Sequence, residues 1–239
     1  MDLFDYIHKR KSCREYILEP LGKSELSEIE KKIGSFELLF EDAPISYRFV
    51  SETKGMFHVL APHYLVFSGV GKDRELENAG FIGQQLMLWL SSQNLGGVWL
   101  GASRDVSVNR SSSDIVIIAF GRAPGSIYRE LSEFRRKSTV EISNIPKNKF
   151  IKAAHLAPSG LNLQPWYFKK VDNKVIIYRQ ILKLPMSLAY KLTKVDMGIV
   201  LSHFYVAYKH FNKDFKFHED DLNHPKKGYK YFGYIDFSE

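Results

Sequence analysis

The chain has 239 residues, 44% of them hydrophobic and 26% charged, with a formal net charge of +7. That balance supports a packed core in one large domain or two small ones and excludes general disorder. The positive charge suits an anionic partner such as a phosphate-bearing cofactor, and the single cysteine, Cys13, excludes an intrachain disulfide and fits a reducing compartment.

The N-terminus carries acids (Asp2, Asp5) where a signal peptide needs a basic region and a long apolar run. A cytoplasmic location is therefore expected. Residues 3–9 read as a short helix with Leu3, Phe4 and Ile7 on one face. Ser24 reads as the N-cap of a second helix. Glu25 and Glu28 fall in its first turn, Lys31 and Lys32 in its last, Gly34 reads as its C′ stop, and Leu26, Ile29 and Ile33 form its buried stripe. Residues 47–52 and 64–70 are strand-like.

Residues 75–95 form the longest helix candidate, with Leu76, Ala79, Ile82, Gly83, Leu86 and Leu90 at helical spacing. It is apolar around much of its circumference, which predicts a central place. Its apolar stretch is broken by Gly83, Gln84 and Gln85 and is too short to span a bilayer, so no membrane partner is expected. A short strand over 98–102 follows. Residues 114–120 are near-continuously apolar, as in a sheet covered on both faces.

Residues 121–146 read as a polar connector carrying Arg129, Arg135, Arg136 and Lys137. Residues 149–157 are helical, 166–171 and 174–179 form a hairpin around Asp172-Asn173, 193–211 form the second long helix, and 215–218 and 229–237 are late strands. Lys226-Lys227-Gly228-Tyr229-Lys230-Tyr231 comes nearest to the clustered cations and aromatics of a nucleic-acid binder. It reads equally as a loop entering a strand, so no nucleic-acid partner is expected.

The order helix, strand pair, long helix, strand, final strand occurs twice. Asn78-Ala79-Gly80-Phe81-Ile82 aligns with Asp196-Met197-Gly198-Ile199-Val200 at an offset of 118. That period is too long for a solenoid and reads as a duplicated α+β unit whose halves, 1–140 and 141–239, pack into one compact body.

Four segments carry chemistry. Arg10-Lys11-Ser12-Cys13-Arg14 places three cations and a hydroxyl within five residues, enough to surround a phosphate. Leu95-Gly96-Gly97-Val98-Trp99-Leu100-Gly101 follows the long helix, and its glycines permit close backbone approach. Arg135 and Arg136 follow the apolar strand by about a dozen residues. The fourth, Ala157-Pro158-Ser159-Gly160-Leu161-Asn162-Leu163-Gln164-Pro165-Trp166, ends a helix at a proline and offers backbone amides and small polar groups to a planar polar ring.

Together these segments resemble the nitroreductase family of FMN-dependent oxidoreductases, in an internally duplicated single-chain form. The resemblance implies an α+β, nitroreductase-like fold with an antiparallel-rich sheet flanked by helices and two pseudo-symmetric halves like a fused dimer. The family pattern Arg-Arg-Ser-x-Arg is met with Lys11 in place of its second arginine. It implies that Arg10, Ser12 and Arg14 hold the FMN phosphate and ribityl chain, with Arg10 or Lys11 near the pyrimidine edge. Trp99, Leu100 and Gly101 match the family's glycine-rich strand at the flavin N5 side, and Arg135, Arg136 or Lys137 matches the cations that close over the phosphate. Pro158, Ser159, Gly160, Asn162 and Gln164 match the loop that a homodimeric relative contributes from its other subunit.

The first half lacks that loop, reading Gly34-Ser35-Phe36-Glu37-Leu38-Leu39 in its place, and the second lacks the arginine motif. One FMN per chain in a pseudo-dimeric monomer is therefore expected, with further dimerisation open. The resemblance further implies NAD(P)H as donor and a small electron acceptor, a nitroaromatic or quinone, reduced in ping-pong fashion. No catalytic acid–base residue is recognisable. The rivals are an FMN protein for storage, fragmentation or dehalogenation, and a cofactor-free basic binding module. His218-Glu219-Asp220-Asp221 reads as solvated acids, so no metal is expected. His155 and His203 read as core or interface residues, and loops 34–46, 103–113 and 180–192 as the substrate face.

Overall fold

The computed structural model describes residues 2–56, 58–106, 113–184 and 190–237. The segments 107–112 and 185–189, within two of the loops expected to face substrate, lie outside the described residues.

The first half of the chain runs α1 (Phe4–Ile7), α2 (Lys23–Gly34), β1 (Ser46–Val50), β2 (Thr53–Gly55), β3 (His63–Ser68), α3 (Glu75–Ser92), β4 (Gly96–Leu100), β5 (Ser103–Asp105) and β6 (Asp114–Gly121). After the connector come α4 (Thr139–Ile142), α5 (Lys149–His155), β7 (Trp166–Val171), β8 (Lys174–Gln180), α6 (Tyr190–His210), β9 (Phe217–His218) and β10 (Tyr229–Asp236). The strands divide into two four-stranded antiparallel sheets, ordered β1-β3-β6-β4 and β7-β8-β10-β9. The orders correspond strand for strand. Each sheet begins with an antiparallel pair, sends a long helix across, and returns with two strands, the last inserted between the second and third.

The two long helices, α3 and α6, pack on each other at the centre, and their contact is reciprocal. A β-carbon on Gly80 would overlap the carbonyl oxygen of Val195, three residues before Gly198; one on Gly198 would overlap that of Glu77, three residues before Gly80. Only glycine lets the backbones approach this closely. Around the crossing, Leu86, Leu88, Leu90, Val200, Leu201 and Phe204 are fully or almost fully buried, which accounts for helices apolar on nearly every side.

Several local expectations are corrected. The N-cap of α2 is Gly22, not Ser24: the Glu25 carboxylate accepts from the Gly22 N–H at 2.8 Å and completes the first turn without a hydroxyl. Gly34 is the last helical residue instead of a left-handed stop, because the Ser35 hydroxyl donates to the Lys32 carbonyl at 2.7 Å and closes the end. Leu26 is only partly buried. The α3 helix ends at Ser92, three residues early, and left-handed Asn94 (φ 58°) turns the chain into β4. The ribbon β2–β5 is an addition to the first half that was not expected. Arg48 ties it down, bonding Asp105, Asp114 and Ser68 at 2.8–3.3 Å.

Candidate functional site

Residues 9–13 thread between β4 and residues 127–129. The Cys13 N–H donates to the Gly97 carbonyl (3.1 Å), the Lys11 N–H to Ile127 (3.1 Å), and the Arg129 N–H to Lys9 (2.7 Å). Ser12 bridges Gly97, and Arg10 bridges Tyr128. This threading turns the Arg10 side chain inward. It is 1% exposed, and among the described residues none of its three guanidinium nitrogens has a hydrogen-bond partner. Burial, then the charges of Arg129 and Arg136, pull its pKa down to about 9. Arg136 falls to about 10, through burial and Arg129, and its Nε has no partner. Arg14 is exposed and acts on Arg129 from outside. Burying a cation without a counter-charge is unfavourable by several kcal/mol, so this cluster is suited to an anion. Lys11 and Ser12 are half-buried beside it.

The loop after α5 is docked onto the connector. Arg136 Nη1 donates to Asn162 Oδ1 (2.9 Å), Asn162 Nδ2 to the Arg135 carbonyl (2.8 Å), and the Lys137 N–H to Gln164 Oε1 (2.8 Å). Within the loop, the Gln164 N–H donates to Ser159 Oγ (2.9 Å) and Gln164 Nε2 to the Asn162 carbonyl (3.1 Å). Pro158 is half-buried and Gln164 fully so. Leu161, Asn162 and Gln164 have φ of 51°, 56° and 47°. Three non-glycine residues in the left-handed region store strain that the connector bonds offset. Of the connector cations, Arg136 turns inward, while Arg135 is exposed and contributes its carbonyl.

The end of β4 meets this loop across α6. Leu100 is buried and Gly101 exposed. Leu192 covers Gly101, its Cδ2 2.7 Å from where a β-carbon would stand, and its Cβ lies 3.5 Å from the same point on Gly160. Trp99 Nε1 donates to Gln84 Oε1 (3.3 Å), Gln84 Nε2 to His203 Nε2 (2.9 Å), and His203 Nδ1 to the Ala153 carbonyl (2.9 Å). This chain requires a neutral His203 protonated on Nδ1. Burial also pushes its pKa down to about 3. His203 is thus a core residue joining both halves. Trp166 is 1% exposed.

Leu192 and Asp196 were not among the expected site residues, and Arg129 was noted only as part of the polar connector. The available signal for Asp196 was an acid in the apolar face of a central helix, aligned with Asn78. Asn78 ties down the chain at Leu39, Phe40 and Ala43 with four bonds of 2.8–3.0 Å. Asp196 does the corresponding task for the loop, Oδ1 accepting from the Gly160 N–H at 2.8 Å. Its Oδ2 is buried with no hydrogen-bond partner among the described residues, and burial raises its pKa to about 8. The folded state therefore holds a proton that the unfolded chain releases near pH 4, and stability contributed by the neutral acid is lost as pH rises toward 8. Asp196→Asn keeps the Gly160 acceptor. We expect its stability relative to wild type to rise between pH 4 and 8 and to level off above, in urea unfolding at several pH values.

Among the described residues, no group of three or more His, Cys, Asp or Glu is arranged to hold a metal, and no helix is long and apolar enough to cross a membrane.

The paired sheets, the central helix crossing and their connectivity define an α+β protein of the nitroreductase fold. The crystal structure of a "putative nitroreductase" from Thermotoga maritima shares it with a TM-score of 0.69 at 21% identity, over 99% of this chain and 94% of that one. Residues 2–208 match the family described as "Putative TM nitroreductase", and the chain belongs to that family of oxidoreductases. A nitroreductase family protein from Clostridium difficile 630 aligns with 60% of this chain and 98% of its own (16% identity, TM-score 0.46). An FMN-dependent nitroreductase from Clostridium difficile R20291 aligns with 54% and 93% (18% identity, TM-score 0.42). No curated protein matches the sequence.

Proposed function

We propose that this chain is an FMN oxidoreductase that takes electrons from NAD(P)H and passes them to a nitroaromatic, quinone or similar electron-poor acceptor. The observation that carries the reading is Arg10, a buried guanidinium with three unpartnered nitrogens beside Arg129 and Arg136. Such a donor set fits a phosphate or the electron-rich edge of a flavin. Bound FMN supplies the two-electron carrier. The chain's own residues then bind and orient: Arg10, Ser12, Arg14, Arg129 and Arg136 meet negative charge, and Trp99 to Gly101 and the 158–164 loop frame the ring.

The proposal includes one FMN per chain, at a site shared by halves 1–140 and 141–239 of a duplicated, pseudo-dimeric monomer. Matched strand order and the reciprocal glycines support the duplication. The offset of 118 also pairs Leu192 with Arg74 and Gly101 with Glu219. Leu192 lies over Gly101. At the corresponding place, Arg74 is ion-paired to Glu219 and lies 5.2 Å from the Phe40 ring and 5.0 Å from that of Phe232. A charged, aromatic plug thus fills the position that would correspond to a second site.

The test is the visible spectrum of the protein with released flavin identified and counted. One FMN per chain is expected, and two per chain would refute the shared-site model. Arg14→Ala and Asn162→Ala, in different halves, should each weaken FMN binding, the former by about 1.5–3 kcal/mol for one charge-assisted contact. Unchanged affinity in Asn162→Ala would remove the loop from the site. Steady NAD(P)H oxidation with a nitroaromatic separates turnover from flavin storage.

A further inference from the structure

A second positive centre stands next to this site. Arg179, at the end of β8, is in register with Trp166 of β7 and with Lys230 of β10, directly after the 158–165 loop. It is 4% exposed. Among the described residues its guanidinium has one hydrogen-bond partner, a neutral one: Nη2 donates to the Tyr190 phenol oxygen at 2.6 Å, with Cζ 4.3 Å from that ring. Its Nη1 is buried and unpartnered. Tyr190 opens α6 two residues before Leu192 and is 48% exposed. The Arg179 hydrogen bond, with the charges of Arg179, Lys194 and Lys230, holds its phenol below the ordinary tyrosine value.

The surrounding carboxylates leave this centre uncompensated. Lys194 is paired with Asp73 at 2.8 Å, Glu219 with Arg74, and Asp196 faces Gly160. Among the described residues neither Arg179 nor Lys230 has a carboxylate partner. The charges acting on Arg10, Arg129 and Arg136 come from one another, Arg14 and Glu133, without Arg179 or Lys230.

We propose that Arg179, Tyr190 and Lys230 form an oxyanion subsite at the mouth of the site, receiving the carboxylate or phosphate of a redox partner. The role as a substrate subsite rests on the flavin reading above. The anion itself could belong to the acceptor or to the electron donor, and two ligand pairs distinguish them.

The full chain, with and without FMN, would be titrated calorimetrically with benzoate against benzamide, and with nicotinamide mononucleotide against nicotinamide riboside. We expect the anionic member of at least one pair to bind about tenfold tighter, the size of one charge-assisted contact. Preference within the benzoate pair assigns the anion to the acceptor, and within the nucleotide pair to the donor. Lys230→Gln and Arg179→Gln should each erase most of the difference. Lys230 is exposed, so its variant decides the matter if Arg179→Gln fails to fold. Flavin absorbance in the same samples tests the neighbouring site separately. An anion preference without flavin binding would keep the subsite and sink the flavin reading. Flavin binding with equal affinities in both pairs, or a preference that survives both substitutions, would overturn the subsite.

Discussion

Arg10→Met stabilises the flavin-free protein and nearly abolishes its affinity for FMN: this is the expected result with the sharpest sign. Arg10 is buried, has no hydrogen-bond partner for its guanidinium among the described residues, and shares its surroundings with two further arginines. Replacing an uncompensated buried charge with an apolar side chain of similar length should stabilise by about 1–4 kcal/mol in urea unfolding. The same change removes about two charge-assisted contacts to an anion, roughly 3 kcal/mol or more than a hundredfold in affinity. The pH dependence has a definite sign. Because the folded-state pKa is depressed to about 9, the unfolded chain binds the proton more tightly, and the penalty is complete below pH 9 and fades above it. The stability gained in Arg10→Met should therefore shrink in alkaline buffer. A variant that loses stability and keeps FMN affinity would show that Arg10 is structural.

The second large effect belongs to the helix crossing. Gly80→Ala and Gly198→Ala each push a methyl group into the backbone carbonyl of the opposite helix. Neither carbonyl can rotate away without breaking its own helix. Each substitution should destabilise by about 3 kcal/mol or more, at the upper end of overpacking effects. The double variant should be less destabilised than the sum, because the first methyl already separates the helices where the second would enter. Additive losses in denaturant unfolding would mean that the two contacts yield independently.

These glycines show how much was legible. The helical spacing of Ala79, Ile82 and Leu86, the apolar run of β6 and the hairpin around Asp172-Asn173 are local patterns, and each became the expected element. The aligned Gly80 and Gly198 meet at the helix crossing. The docking of Arg136 onto Asn162 was not expected, and nothing in the sequence distinguishes Arg136 from Arg135. The depth of Arg10 was not legible. It depends on strand-like threading between β4 and residues 127–129, contacts more than eighty residues away in sequence. Leu192 and Asp196 gained their places only through the crossing of α6 with α3, and a three-residue ribbon such as β2 is too short to show alternation. The Ser24 cap failed because Glu25 could satisfy the first turn itself.

Under the proposed duplication, the cluster of Arg74, Glu219 and Phe40 has a consequence for how this protein can change. In a symmetric homodimer every substitution is written twice, so an ion pair that fills one cavity fills both. Here the equivalent positions are separate codons on one chain. One position can accept a charge, an aromatic or a deletion while its counterpart stays fixed, and drift in Arg74 or Glu219 leaves Leu192 and Gly101 untouched.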